Sequence, residues 1–229
     1  MDTNKDNQIF AIEVLLSKGS RAYEDGDLKA AKSFFQRAAH ANPKSETAAL
    51  MLGKIAIDQG DPETAKQLFQ VVLNSDSSNY DFLIEYGNSL QDLKDSVGSQ
   101  RAWNDAIKQE PKRFEAYACL GAFLGSKNDY EAALASYEKG IKTSETLGGL
   151  LICSKGAGLC CLELMQFEKG KVHLDKCIEH CPDYGIFFYY RCKAFLGLGK
   201  TDLAINDATT AVSLEPDDED FKSLRRSLL

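Results

Sequence analysis

A strict repeat of 34 residues runs through this chain and constrains its fold more than any other feature. Three series of residues recur in phase, and each member lies 34 residues from the next except for one step of 37. The first series holds small residues: Gly19, Gly53, Gly87, Gly121, Gly158 and Cys192. The second lies twelve residues later and is also small: Ala31, Ala65, Ser99, Ala133, Gly170 and Ala204. The third follows four residues further on and is bulky except for its last member: Phe35, Phe69, Trp103, Tyr137, Leu174 and Ala208.

The length of the unit predicts a pair of helices. It accommodates two helices of about fourteen residues and two short turns. Small residues in the first two series allow the paired helices to approach closely, and the bulky residue one turn further on fills the space beside that contact. Proline ends a helix because it cannot continue the hydrogen-bond ladder. The units end in four prolines and two substitutes: Pro43, Pro111, Pro182, Pro216, Ser77 and Glu145.

The pattern resembles the tetratricopeptide repeat family. Its six units begin at the following residues: Ile12, Glu46, Tyr80, Phe114, Leu151 and Gly185. The resemblance covers residues 12–218 and implies an all-α fold, a right-handed α-solenoid of six antiparallel helix-turn-helix hairpins plus a C-terminal capping helix. It also implies that the first helix of each pair lines a concave groove that holds a partner protein. The last two units depart from the pattern, because Leu174 and Ala208 replace the aromatic residue.

The repeat also predicts the domain boundaries. We expect a polar N-terminal lead-in at 1–11 and units at 12–45, 46–79, 80–113, 114–147, 151–184 and 185–218. A capping helix is expected at 219–229, where Phe221, Leu224 and Leu228 recur at helical spacing. Three extra residues enter around 147–150, and the paired glycines there favour a break in the helix. Two interpretations of this insertion remain open, a hinge and a longer loop.

Composition narrows the classes of function. Apolar residues make up 44% of the 229 residues and charged residues 27%, which suits a packed core. The polar start at 1–8 and the lack of a long apolar run predict neither export nor membrane insertion. Seven cysteines, an odd number, favour free thiols in a cytoplasmic protein. The net charge of −7 argues against a nucleic-acid partner.

Groove positions were assigned on the first helices, where residues follow the helical period but avoid the packed series. In the first three units they are mainly carboxylates: Glu13, Leu16, Ser20, Glu24, Lys54, Asp58, Asp81, Glu85, Asn88 and Asp92. In the last three they are smaller or more apolar: Ala118, Cys119, Ala122, Ser126, Lys155, Leu159, Ile186, Tyr189, Tyr190 and Lys193. This predicts an acidic half for a basic segment and an apolar half for hydrophobic anchors. The alternative is that the carboxylates are the solvated face of an acidic protein.

Two more specific kinds of site are not expected. Some relatives in the resembled family grip the C-terminal carboxylate of chaperones with lysines, arginines and asparagines. The same places in the first three units hold Leu16, Ser20, Met51, Asp81 and Glu85, so the cations are missing. The second is a zinc site. His173, Cys177, His180 and Cys181 share one helix at suitable spacing, but Cys177 falls at a packing position and structural zinc sites draw on two segments.

The sequence contains no nucleophile motif and no phosphate-binding loop, since its glycines follow the repeat. We therefore predict no catalytic residue, no cofactor and no metal. The predicted function is a non-catalytic adaptor or scaffold that binds a peptide or helical segment of a partner protein in the concave groove. The alternative is a structural subunit or self-assembling element of a larger complex, which would use the convex face and the ends.

Overall fold

The computed structural model describes residues 3–73 and 79–229, with side chains from Gln8 onward. Within these ranges the chain forms thirteen α-helices and no strand. The helices are α1 (Thr3–Glu24), α2 (Leu28–Ala41), α3 (Glu46–Asp58), α4 (Pro62–Leu73), α5 (Tyr80–Asp92), α6 (Ser96–Gln109), α7 (Glu115–Ser126), α8 (Tyr130–Thr143), α9 (Leu147–Glu163), α10 (Phe167–His180), α11 (Gly185–Gly197), α12 (Thr201–Leu214) and α13 (Glu219–Leu228). Ser77, the expected substitute for a terminating proline, lies outside the described residues, as do the first two residues of the lead-in.

Consecutive helices pair as hairpins, from α1 with α2 to α11 with α12, and this confirms the predicted all-α repeat fold. The chain divides into two compact units. The first comprises residues 1–110 with α1–α6, and the second comprises 111–229 with α7–α13. Second helices also pack against the first helix of the next hairpin, α2 against α3 in the first unit and α8 against α9 and α10 against α11 in the second.

The three sequence series meet inside each hairpin. A Cβ added to Gly19 would lie 2.7 Å from the ring of Phe35, and one added to Gly121 would lie 3.0 Å from Tyr137. Glycine therefore lets the aromatic ring lie directly on the opposite backbone. Members of the second series, such as Ala31, are completely buried. The repeat positions are thus the core of each hairpin.

The turn inside every hairpin contains a residue in the left-handed region. These residues are Gly26, Gly60, Lys94, Asn128, Met165 and Gly199, with φ between 55° and 79°. Around Lys94, the amide of Asp95 donates to the carbonyl of Leu90 at 2.8 Å, which is the Schellman arrangement that ends a helix. The carboxylate of Asp95 then caps α6 by accepting from the amide of Gly98 at 2.9 Å.

The inserted residues at 147–150 are helical, so the predicted break in the helix and the longer loop are wrong, while the hinge stays a prediction. Helix α9 begins at Leu147 and is capped by Thr146, whose hydroxyl oxygen accepts from the amide of Gly149 at 3.1 Å. Gly149 is buried, and a Cβ there would lie 2.6 Å from the ring of Phe114. The cap and this close packing lengthen α9 to 17 residues and outweigh the low helix propensity of the two glycines.

The two ends of the chain are helical in the described residues. Residues 3–11 continue directly into the rest of α1. At the other end, Asp218 caps α13 by accepting from the amide of Phe221 at 3.0 Å, and the ring of Phe221 is buried. Among the described residues, no helix is both long and apolar enough to cross a membrane.

Candidate functional site

The first helices of the N-terminal unit each end in an exposed carboxylate. Glu24 is the last residue of α1, Asp58 of α3 and Asp92 of α5. The three are separated by 34 residues, so the repeat places them at one level of neighbouring helices. In the C-terminal unit, the equivalent last residues are Ser126, Glu163 and Gly197. We call Glu24, Asp58 and Asp92 the carboxylate ladder.

Tyr23 contacts one member of the carboxylate ladder, Asp58. Its hydroxyl donates to Oδ2 of Asp58 at 2.8 Å, which joins α1 to α3. Burial raises the pKa of Tyr23, and the hydrogen bond to Asp58 and the negative charges of Asp58 and Asp92 raise that pKa further. The charges of two ladder members therefore reach the same phenol. Tyr23 was missed at the sequence level, although an aromatic residue directly before Glu24 could have signalled it.

Carboxylates at these positions oppose the helix dipole. The C-terminal end of an α-helix carries a partial negative charge, because its last carbonyls have no partner within the helix. A negative side chain there costs about 0.3–1 kcal/mol at an exposed site. Asp58 accepts its hydrogen bond from the hydroxyl of Tyr23, which is not a cation. The carboxylate ladder therefore concentrates negative potential that a cationic ligand would neutralise.

The remaining candidate residues of the N-terminal unit are arranged differently. Nζ of Lys54 on α3 forms an ion pair with Oε2 of Glu85 on α5, so these two candidates largely neutralise one another. Glu13 is exposed in the middle of α1 and Asp81 is exposed near the start of α5, whereas Ser20 and Asn88 are half-buried. The structure thus brings together Tyr23 and Asp58, and separately Lys54 and Glu85.

Candidates of the C-terminal unit form an aromatic cluster on α11. Nζ of Lys193 lies 4.4 Å from the ring centroid of Tyr189 and 5.7 Å from that of Tyr190. The ring of Tyr189 also stacks on Phe221 of α13, with the centroids 4.9 Å apart. The faces of Tyr189 are therefore engaged inside the fold, while Lys155 on α9 is exposed. The other positions of this half are half-buried or exposed: Ala118, Cys119, Ala122, Ser126, Leu159 and Ile186.

Arg191 lies one place from the position at which the resembled family carries a carboxylate-binding arginine, and the fold uses this side chain internally. Its guanidinium donates to both carboxylate oxygens of Asp207 at 2.8 Å and to Asp175 at 2.8 Å. The hydrogen bond to Asp207 raises the pKa of Arg191 further above its ordinary value. Burial alone raises the pKa of Asp175, but hydrogen bonds from Lys171 and Arg191 bring it below its usual range. This network joins α10, α11 and α12.

The four candidate metal ligands on α10 and just after it have different environments. His173 and Cys177 are buried, and Sγ of Cys177 faces the carbonyl of Leu151 at 3.8 Å. His180 is exposed and Cys181 is half-buried. Burial raises the pKa of Cys177 to about 11 and lowers the pKa of His173. Among the described residues, no group of three or more histidine, cysteine, aspartate or glutamate side chains is placed to hold a metal ion.

All seven cysteines are free thiols, and five of them are buried. Burial raises the pKa of each of the five buried thiols to about 11: Cys153, Cys160, Cys161, Cys177 and Cys192. A thiol with such a pKa is protonated near neutral pH and is a poor nucleophile or metal ligand. These side chains act as small apolar residues of the core.

Comparison with known proteins supports the repeat assignment. Family models described as tetratricopeptide repeat match residues 22–83 and 114–146. The human tetratricopeptide repeat protein 7A is 28% identical over 122 residues, which is 53% of this chain and 14% of that protein. The mouse protein unc-45 homolog B is 27% identical over 100 residues, 44% of this chain and 11% of that protein. The chain therefore spans less than a sixth of the length of these curated relatives.

Solved structures share the fold at low sequence identity. The chain is similar to the structure described as the functional characterization of Pseudomonas aeruginosa pilF, with a TM-score of 0.77 and 16% identity over 96% of this chain and 99% of that one. It is also similar to PilW, described as a widely conserved type IV pilus biogenesis factor, with a TM-score of 0.75 and 15% identity over 93% and 97% of the two chains. At these identities the likeness extends to the fold alone.

Proposed function

Because this chain belongs to the tetratricopeptide repeat family, whose members bind protein partners and are generally non-catalytic, we propose that it is an adaptor that holds a basic segment of another protein against the carboxylate ladder. The segment is bound on the first helices of the N-terminal unit. The chain performs no chemistry on it. The seven free thiols support a cytoplasmic setting as part of the same proposal.

The observation that carries the proposal is the position of the carboxylate ladder at three helix C-termini. Each of its members opposes its own helix dipole, so together they destabilise the folded unit by roughly 1–3 kcal/mol. A merely solvated acidic face has no reason to concentrate charge where folding disfavours it. A ligand that supplies cations at this level removes the repulsion, and the carboxylates then contribute to binding.

The spacing of the carboxylate ladder suggests the form of the ligand. Axes of packed neighbouring helices lie about 8–10 Å apart. A polyproline II segment has three residues per turn and rises about 3.1 Å per residue, so side chains three residues apart point the same way at about 9 Å. Arginines or lysines at every third position of an extended segment would therefore meet successive members of the ladder.

The chaperone-tail alternative is not part of the proposal. A C-terminal carboxylate needs cations on the first helices, whereas Lys54 is paired with Glu85 and Arg191 is engaged by two aspartates. The other alternative, a structural subunit that assembles through its ends, requires self-association. Light scattering over a concentration series separates it from the adaptor, since the adaptor alone remains monomeric.

The proposal is tested with a fluorescein-labelled peptide that carries three arginines, each separated by two glycine or serine residues. Its affinity is measured by fluorescence anisotropy for the natural chain and for a variant with Glu24→Gln, Asp58→Asn and Asp92→Asn. Each exposed ion pair contributes about 0.2–1 kcal/mol, so loss of three should weaken binding about tenfold at low salt.

The matched control removes three exposed carboxylates of the C-terminal unit by Glu131→Gln, Glu145→Gln and Glu179→Gln. It changes the net charge equally and should leave the affinity within about twofold of the natural chain. A peptide with glutamates at the arginine positions should not bind. Equal affinities of the ladder variant and this control would show that only net charge attracts the peptide, and the proposal would fail.

A further inference from the structure

A second surface lies at the start of the N-terminal unit, away from the ends of the first helices. It is formed by seven residues of the first hairpin: Phe10, Ala11, Val14, Leu15 and Lys18 of α1, with Phe34 and Arg37 of α2. They line an open cavity of about 350 Å³ between the two helices. The ring of Phe10 is 67% exposed, although large apolar side chains are normally buried. We call these seven residues the N-terminal face.

Comparison with the equivalent positions of later repeats shows that the N-terminal face has the shape of a helix-packing surface. One unit later, Val14 and Leu15 correspond to Ala48 and Ala49 of α3, which are buried. Helix α3 packs against α2 of the preceding hairpin. Two units later, the same positions again hold two buried apolar residues of α5. In α1 these positions are only half-buried, because no described helix packs on that side. The N-terminal face therefore has the shape that seats a helix in the rest of the unit.

The charges around the N-terminal face restrict the occupant. Lys18 and Arg37 are exposed at its edge, and the guanidinium of Arg37 lies 6.0 Å from the ring centroid of Phe34. No residue that lines the cavity is acidic. A second copy docked symmetrically would bring the two cations of one chain against those of the other. A basic segment is disfavoured for the same reason, which separates this surface from the carboxylate ladder.

We propose that the N-terminal face docks an amphipathic helix of a partner protein, with an apolar stripe over Phe10, Val14 and Leu15 and carboxylates beside Lys18 and Arg37. The apolar ridge of such a helix fits between α1 and α2 as ridges fit grooves in helix packing. A concave surface suits a helix better than it suits a lipid bilayer, which takes up protruding apolar groups. The chain then holds two partner segments of opposite charge on separate surfaces.

The test uses a synthetic helix of roughly eighteen residues, about five turns, with leucines at i, i+3, i+4 and i+7 spacing and glutamates on both flanks. A second peptide carries lysines in place of the glutamates. Binding is measured by calorimetry with the whole chain. The glutamate peptide should bind saturably to the natural chain and less tightly to Phe10→Ser. Any binding of the lysine peptide to the carboxylate ladder should be unchanged in Phe10→Ser. Failure of the glutamate peptide to bind at concentrations up to about 1 mM would overturn the proposal.

Variants locate the binding on the N-terminal face. Phe10→Ser should weaken the affinity about tenfold or more through lost apolar contact, and Lys18→Glu with Arg37→Glu should weaken it at low salt. Val97→Ser removes another exposed apolar side chain, 80% exposed on α6, and should have no effect. Lys139→Glu with Lys142→Glu matches the charge change on α8 and should also have none. Circular dichroism verifies that each variant is folded, as the exposure of these side chains leads us to expect.

Two other occupants are distinguished in the same set of variants. A concentration-dependent dimer in light scattering that Phe10→Ser abolishes would assign the N-terminal face to a second copy and overturn the proposal. The natural chain could instead bind vesicles that contain phosphatidylserine and fail to bind the glutamate peptide. If Phe10→Ser abolished the vesicle binding, the N-terminal face would be assigned to a membrane surface, and the proposal would be overturned. Equal affinity of the natural chain and Phe10→Ser for the glutamate peptide would place that peptide elsewhere, with the same consequence.

Discussion

Tyr23 donates its hydroxyl hydrogen to Asp58 across 2.8 Å, and this contact ties the last turn of α1 to the last turn of α3. The same phenol senses the charge of Asp92 on α5. Tyr23 of the first hairpin therefore binds a carboxylate of the second, and its pKa is raised by a carboxylate of the third. A structural role for Tyr23 and a binding role for the carboxylates can be separated by the variants that follow.

Tyr23→Phe should lower the free energy of unfolding by about 1 kcal/mol near neutral pH, because it removes one hydrogen bond to a charged group. Burial and the neighbouring carboxylates raise the pKa of Tyr23, so the folded state holds the phenolic proton more tightly than the unfolded state. The resulting stability is fully present below about pH 10, the ordinary pKa, and is lost as the pH rises through the raised value. Urea denaturation at several pH values measures the effect.

The comparison between the two chains isolates Tyr23 from the other tyrosines. The natural chain should lose more stability above about pH 10 than Tyr23→Phe does, so that the two unfolding curves converge. Parallel loss of stability in both chains would mean that the phenol of Tyr23 does not titrate differently in the folded state. Affinity for the arginine peptide should change little in Tyr23→Phe, because the charge of Asp58 remains.

Neutralising one member of the carboxylate ladder should stabilise the protein while it weakens binding. Glu24→Gln and Asp92→Asn each remove an exposed negative charge from a helix C-terminus, and each should raise the free energy of unfolding by about 0.3–1 kcal/mol at low salt. Glu131→Gln is the mirror-image control, since Glu131 is in the first turn of α8, where the dipole favours a carboxylate. It should lower the stability by a similar amount. If all three changes shift the urea midpoint in one direction, the dipole argument is wrong.

Two hairpin turns contain a side chain that suits their backbone poorly. Met165 has φ of 55° and Lys94 has φ of 60°, whereas three equivalent turn positions hold glycine. Met165 is also 77% exposed, so its side chain contributes little packing. Met165→Gly and Lys94→Gly should raise the free energy of unfolding by up to about 1 kcal/mol, because glycine adopts the left-handed conformation without strain.

Asn128 supplies the control for these turn variants. It has φ of 62°, but asparagine tolerates this region, and its side chain accepts a hydrogen bond from the hydroxyl of Tyr130 at 2.9 Å. Asn128→Gly should therefore bring no gain. A gain there equal to that of Met165→Gly would indicate a general effect of glycine in the turns rather than relief of strain. Thermal unfolding of the three variants under one buffer condition makes the comparison.

The two inserted glycines of α9 should respond to alanine in opposite directions. A Cβ added to Gly148 meets no atom within 4 Å, so Gly148→Ala should stabilise the helix by up to about 1 kcal/mol. A Cβ added to Gly149 would lie 2.6 Å from the ring of Phe114, so Gly149→Ala should destabilise the protein by about 1–3 kcal/mol. Chemical denaturation measures both. Equal and small effects would fit a loop at this position and contradict the helical assignment.

The repeat was readable from the sequence because it depends on local and periodic requirements. A small residue opposite a bulky one, such as Gly19 opposite Phe35, is required in every hairpin, and the same requirement recurs every 34 residues. The first helices and their acidic character followed from the same period. The insertion at 147–150 did not follow, because glycine propensity argued for a break while the capping of Thr146 and the contact with Phe114 decided for a helix.

The sequence predicted which side chains lie on the first helices, but it did not predict which of them pair with one another. Whether a charged residue is available for a ligand depends on its neighbours from other hairpins, and periodicity carries no information about them. Lys54 and Glu85 were both assigned to the groove, yet they form an ion pair with one another. The sequence places Arg191 one position away from the carboxylate-binding arginine, and the structure adds that Asp175 and Asp207 hold its guanidinium.

Periodicity, residue size and proline placement thus specify six helical hairpins in this chain, because each hairpin buries its small and bulky residues by contacts within one unit of the repeat. The meeting of Tyr23 with Asp58, the internal use of Arg191 and the exposure of Phe10 were decided by the packed structure. These features arise between hairpins or where a neighbouring helix is missing from the described residues. Electrostatic and apolar contacts between distant parts of the chain depend on distances that only packing establishes.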